Sequence, residues 1–329
     1  MALLNTTNAT VSQAAAILQQ MSLYTIFGII ITISNLAVLI VVISSKKFKL
    51  FGFLAFGDLC FGLAFLFSGP ARIVYLKTGS YYDLMPVRYC LLVPWWHCFL
   101  AGLLWPTIGT MCIASERLIA VTAPAWYKAR WSGRMEVRLI TAGVLAYLAC
   151  ALPAVLIVLT SPMERVLPKQ CSMAASFGRL YTLFHTAVAA VGGMATVACN
   201  MIVSIVARWS FSRLTGTDNA RFLNRQKRLN RSVGAVVTSS LIFVVIPNIC
   251  ILAGDLDLIP LSSVIRRTFI LSFAVNSLLN FYFYVALNSE FRNSVIDIFR
   301  LRQTTVVPLT FGSTTNVKAS GMISHKAVA

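Results

Sequence analysis

Asp58, in the run Leu54-Ala55-Phe56-Gly57-Asp58, is the only acidic residue well inside an apolar stretch of this chain. An ionisable group there is costly to bury, so it marks a functional position by default. The partners on offer are amides and hydroxyls: Asn35 in Ser34-Asn35-Leu36, then Asn276, Ser277 and Asn280, with Tyr284 beyond. Asn276, Asn280 and Tyr284 step by four and so share one helical face. A carboxylate among amides suits a sodium ion or a few waters held between three segments. The plainer alternative is hydrogen bonding that glues helices together. Glu116-Arg117 is a second charged pair, at the end of another apolar stretch, where long charged side chains often simply reach the interface. His97 and His185 stand alone in apolar surroundings, the usual setting of a packed histidine. The apolar runs hold no paired acids, no HExxH and no Ser/His arrangement, so neither an enzyme, a metal site nor a cofactor is implied. Eight cysteines are scattered without CxxC spacing, which argues against a zinc or disulfide-rich module.

The elements that must position these groups follow from composition. Hydrophobic residues make up 58% of the 329 and charged residues 12%, against about 45–50% and about 25% in soluble domains. That excludes a soluble enzyme and a disordered chain and leaves an integral membrane protein. Crossing the hydrocarbon takes about 20 apolar residues. Seven stretches qualify, near Met21–Ser44, Leu50–Val74, Cys90–Val121, Leu139–Thr160, Leu180–Ala207, Ser232–Gly254 and Arg267–Asn288. The expected fold is an all-α membrane protein, a seven-transmembrane helix bundle. After it, Phe291, Val295, Ile298 and Phe299 form an apolar stripe flanked by Arg292, Arg300 and Arg302, which reads as a short amphipathic eighth helix on the membrane surface over residues 289–302. The resulting domains are an N-terminal tail, 1–20; the seven-span domain, 21–288; the amphipathic helix; and a Ser/Thr-rich tail, 303–329, without a packing period.

The net charge of +18 would suggest nucleic acid on a soluble chain. Here its distribution reports topology. Nineteen basic residues fall in the loops after spans one, three, five and seven, and eight in the alternate loops. The side with nineteen is expected in the cytoplasm, which makes the protein multi-pass with its N-terminus outside and its C-terminus inside. The sequons at Asn5 and Asn8 agree and mark the tail as a glycosylation candidate.

Taken together these motifs resemble the rhodopsin-like (class A) G-protein-coupled receptors. Asn35 resembles the family's span-one asparagine, and Leu54-Ala55-x-x-Asp58 its span-two motif. Glu116-Arg117 stands where the family has Asp/Glu-Arg-Tyr, with Pro124 at the second inner loop. Pro247 resembles the span-six kink proline, Asn276-Ser277-x-x-Asn280-x-x-x-Tyr284 the span-seven motif, and Asn288-Ser289-Glu290-Phe291-Arg292 the start of the eighth helix. The chain departs from the pattern at Phe281 (span-seven proline), Val245 (span-six tryptophan) and Leu118, and carries Pro106 within span three. In this divergence it is similar to nematode-type chemosensory serpentine receptors.

The resemblance implies a disulfide between Cys90 and Cys171, with Cys98 the competing partner for the loop cysteine. It implies an outward-opening ligand pocket lined by Trp95, Trp96, Phe99 and Leu103 of span three, Tyr181, Phe184 and His185 of span five, Asn248, Ile249 and Leu252 of span six, and Ile270, Phe273 and Ala274 of span seven. Phe99 stands where amine receptors carry an aspartate, and span seven has no lysine, so neither a cationic amine nor retinal is implied. Arg72, Arg266 and Arg267 fall at the outer rim, where they could attract an anionic or carboxylate ligand or simply reach the lipid headgroups. A small neutral, apolar molecule or a peptide is the expected ligand. Glu116, Arg117, Pro124, Arg228 and Tyr284 are implied in coupling to a heterotrimeric G protein, with arrestin a second partner through Ser/Thr residues of the tail, at the plasma membrane. The competing class is a seven-span transporter or channel, which would need an intramembrane relay of ionisable groups beyond Asp58.

Overall fold

The computed structural model describes residues 2–45, 48–213, 234–287 and 289–304. Their helices are α1 (Ala2–Ser45), α2 (Lys49–Lys77), α3 (Pro94–Thr122), the short α4 (Pro124–Arg130), α5 (Gly133–Leu159), the short α6 (Met173–Phe177), α7 (Arg179–Arg213), α8 (Gly234–Asp255), α9 (Ser263–Leu287) and α10 (Ser289–Thr304). Seven of these, α1, α2, α3, α5, α7, α8 and α9, are long and apolar enough to cross a membrane. The chain is an all-α bundle of multi-pass type, and the boundaries differ from those read in the sequence mainly at the ends.

Two of those differences have plain causes. The sequence reading begins span one at Met21, whereas α1 extends back to Ala2, with its apolar part starting at Ala14. No Gly or Pro interrupts residues 2–27, so nothing in that stretch breaks a helix. The sequence reading places Cys90 at the head of span three. In the structure Val87–Leu92 is a 3-10 turn, and α3 begins at Pro94, after extended Val93. Proline has no N–H to satisfy and a φ already helical, so it belongs at a first helical turn.

α2 and α3 form the centre of the bundle: 67% of the apolar window of α2 is buried, against 22% for α5. α5 instead turns Leu145, Leu148, Leu152, Leu156 and Leu159 outward, a stripe stepping by three and four that suits lipid. The centre closes because small residues let backbones approach. A Cβ on Gly102 of α3 would lie 2.6 Å from Cα of Phe61 on α2. At one end of the bundle a two-stranded antiparallel ribbon joins β1 (Leu84–Pro86) to β2 (Val166–Pro168), with Met85 opposite Leu167. This end is called the ribbon end below. At the opposite end Phe291, Val295 and Ile298 of α10 pack onto a core containing Tyr284, Phe51 and Val38.

Candidate functional site

The ribbon end carries a cavity of about 220 Å³ between α1, α2, α3, α7, α8 and α9. Its roof is the segment after the ribbon, where Ser172, Met173, Ala174 and Phe177 face it. That roof is held in place covalently and by hydrogen bonds. Cys90 and Cys171 form a disulfide, with Cα atoms 5.6 Å apart, and Cys98 remains a free thiol on α3. One residue before the bridge, the Gln170 carbonyl accepts from Arg72 Nε at 3.2 Å and Nη2 at 2.9 Å. The Gln170 side chain accepts from Tyr81 Oη at 2.7 Å. Burial raises the Tyr81 phenol above the ordinary tyrosine value, opposed by the positive charge of Arg72, so it remains a donor at neutral pH.

Of the pocket residues read from the sequence, Phe99, Leu103, His185, Asn248, Ile270 and Phe273 line this cavity. The others do not. Trp95 is buried in the core beside Phe61 and Phe65. Trp96 packs on Phe177, ring centroids 5.2 Å apart, in the cluster around the disulfide. Tyr181 is buried there too, donating to the Cys150 carbonyl at 2.7 Å. Phe184 and Ile249 are 45% and 41% exposed on the outside of the bundle. Leu252 and Ala274 are absent from the wall as well. The reason is helical rotation, about 100° per residue: a one-residue error in facing moves a side chain from the cavity to the core or the lipid. Residues missed by the sequence reading are Tyr24, Thr182, Thr186, Ile251 and the roof segment, together with Phe61. Phe61 had a signal, since it lies three residues after Asp58 on the same face; the roof, with no period, had none.

Below this cavity lies a smaller one of about 40 Å³, whose wall shares Phe61, Leu103, His185, Asn248 and Phe273 with it. It reaches down to Asp58, Ser240, Asn276 and Ser277 and has room for about two or three waters. Asp58 is fully buried. Ser277 Oγ donates to its Oδ1 at 2.7 Å and Asn280 Nδ2 to its Oδ2 at 2.9 Å. Asn276 works elsewhere: its Oδ1 accepts from Ser239 Oγ at 3.0 Å and Ser240 Oγ at 3.2 Å, tying α9 to α8. Asn35 donates to the Ile31 carbonyl of its own helix and leaves its side-chain oxygen unpaired. The expected four-residue cluster is therefore two linked pieces, Asp58–Ser277–Asn280 and Asn276–Ser239–Ser240, with Asn35 apart. Among the described residues no group of three or more His, Cys, Asp and Glu could hold a metal ion.

α8 carries a built-in irregularity beside this polar core. Residues Leu241–Val245 form a π-helical segment just before Pro247. Proline cannot donate to the carbonyl four residues back and clashes with it. That carbonyl, Phe243, instead accepts from Ser272 Oγ of α9 at 2.8 Å. Val245, where the resembled family carries tryptophan, is buried and a Cβ on Gly193 of α7 would collide with its side chain.

At the opposite end Glu116 and Arg117 are buried and ion-paired, with 3.2 Å between Arg117 Nε and Glu116 Oε2. Tyr127 of α4 donates to Glu116 Oε1 at 2.6 Å, and burial first, then the Glu116 charge, holds its phenol above the ordinary tyrosine value. Pro124 starts α4 and so delivers Tyr127. Tyr284 is buried, with its ring 4.7 Å from that of Phe51. Arg228 lies outside the described residues, as do the tail hydroxyls beyond 304; the backbone at Asn5 and Asn8 is helical.

Comparison with known protein families finds no family that matches the chain, and no curated protein matches it.

Proposed function

We propose that the chain is a rhodopsin-like receptor that converts binding of an extracellular ligand into activation of a heterotrimeric G protein. The observation that carries this reading is the stacking of cavities: the outer one and the Asp58 cavity share five wall residues on α2, α3, α7, α8 and α9. A ligand touching His185, Asn248 and Phe273 therefore acts directly on the walls of the polar core. Pro247 and the π segment give α8 the local weakness about which it would swing. Only a ligand with differential affinity for the swung state can drive that change. On this reading the ribbon end faces outward, the Glu116–Arg117–Tyr127 lock holds the inner end shut, and α10 lies along the inner membrane surface.

The test is nucleotide exchange on a panel of purified G proteins by the full chain in lipid discs. The expected result is exchange above the empty-disc rate, reduced about tenfold or more by Arg117→Ala. Exchange indifferent to that substitution overturns the inner-face assignment. Solute uptake into vesicles without any exchange would move the chain to the transporter class.

A further inference from the structure

We propose that the outer cavity binds a small monocarboxylic acid with an apolar body, its carboxylate seated on Arg72. The proposal deepens the receptor reading and rests on it for the consequence of binding, but not for binding itself.

Charge balance carries the argument. The wall contains two cations, Arg72 and Arg266, and no aspartate or glutamate. Arg266 is already neutralised: its Nη1 lies 2.7 Å from Asp255 Oδ1. Arg72 has no carboxylate partner among the described residues, although it is only 9% exposed. Its hydrogen bonds go to one neutral acceptor, the Gln170 carbonyl. A guanidinium has five N–H donors in a planar fork that matches a carboxylate, and most of Arg72's remain unused. A buried charge of this kind is strongly disfavoured until an opposite charge meets it. Within the wall this leaves one unbalanced positive charge, which calls for a negative one; Arg267, beside Arg266, lies outside the wall.

The rest of the wall sets the body of the ligand. Phe61, Phe99, Leu103, Met173, Phe177 and Phe273 are apolar, which disfavours a phosphate or a dicarboxylate. An apolar cavity of about 150 Å³ holds a benzene ring, so one of about 220 Å³ accepts a phenyl-alkyl or short aliphatic acid. His185 also lines the cavity, with its Nε2 buried and without a hydrogen-bond partner. Of the ligands left open by the sequence, a neutral molecule would leave Arg72 uncompensated and a carboxylate would not.

The experiment measures saturable binding to the full chain in detergent by calorimetry and thermal shift, in chloride-free buffer. The probes are hexanoate and 3-phenylpropanoate, each beside its amide, alcohol and amine. Expected is one-to-one binding of at least one acid, about tenfold or more tighter than its neutral analogues, with the amine not binding. Arg72→Met should weaken the acid about tenfold or more, while Arg72→Lys, which keeps the charge but loses the planar fork, should fall between wild type and Arg72→Met. Because Arg72→Met also removes the Gln170 contact and could unfold the roof, Leu103→Trp is the second variant. It fills the cavity, leaves Arg72 in place and should abolish binding. Acid binding no tighter than the alcohol's, binding that survives Leu103→Trp, or an equal effect of sodium chloride alone would each overturn the proposal. Acid binding without nucleotide exchange would leave it standing and sink the receptor reading; exchange without acid binding would do the reverse.

Discussion

At the scale of single residues the energetics concentrate on Asp58. A fully buried carboxyl group holding two hydrogen bonds is sensitive to the loss of either, because leaving a buried polar group unsatisfied costs about 1–3 kcal/mol. Ser277→Ala removes the 2.7 Å bond to Oδ1 and should destabilise the protein by about 2 kcal/mol, read as a lower thermal midpoint in detergent. An unchanged midpoint would mean that water replaces the hydroxyl at no cost. The sequence marked Asp58, Ser277 and Asn280 as partners because an acid in an apolar helix must find donors. It did not divide the work between Asn280 and Asn276, since both sit on one face of α9. Only the neighbouring helix decides which amide meets α2 and which meets Ser239 of α8.

At the scale of elements, close approach and irregularity decide behaviour. Gly102→Ala places a methyl 2.6 Å from Phe61 Cα, a backbone atom that cannot rotate away. α2 and α3 must then separate, and a loss of about 3 kcal/mol or of monodisperse expression is expected; a wild-type midpoint would show the pair to be loosely packed. Pro247→Ala restores the missing N–H beside Phe243. It should regularise the π segment, raise stability by about 1 kcal/mol or more and, on the receptor reading, slow ligand-driven exchange by stiffening α8. If neither quantity moves, the π segment is imposed by packing against α7 and α9. The proline was legible in the sequence; its consequence was not, because the rescue of the Phe243 carbonyl comes from Ser272 on another helix.

At the scale of the whole molecule the question is orientation and closure. The loops on the side of Arg117 carry most of the basic residues, so that side should face the cytoplasm. Epitope tags at the two ends should be detected on opposite faces of intact cells, the N-terminal one outside; both on one face would remove the seven-span topology. Replacing Cys90 and Cys171 together by serine should cost about 2–4 kcal/mol and loosen the roof, measured as a lower thermal midpoint and faster proteolysis at residues 169–178. Equal midpoints would leave the roof held by the ribbon and by hydrogen bonds such as those of Arg72, Tyr81 and Arg165.

Hydropathy and charge determined the number of spans, their order and their expected direction, because those properties accumulate along the chain over some 20 residues at a time. Motif spacing placed Asp58 near α9 and the Glu116–Arg117 pair at a helix end. The rotation of each helix about its axis was decided only by tertiary packing. That rotation sent Trp96 and Tyr181 into the core and Phe184 to the surface. It also brought Arg72, read as a rim residue, into the cavity wall. Helix facing depends on which neighbours a side chain meets, and no local run of residues carries that information.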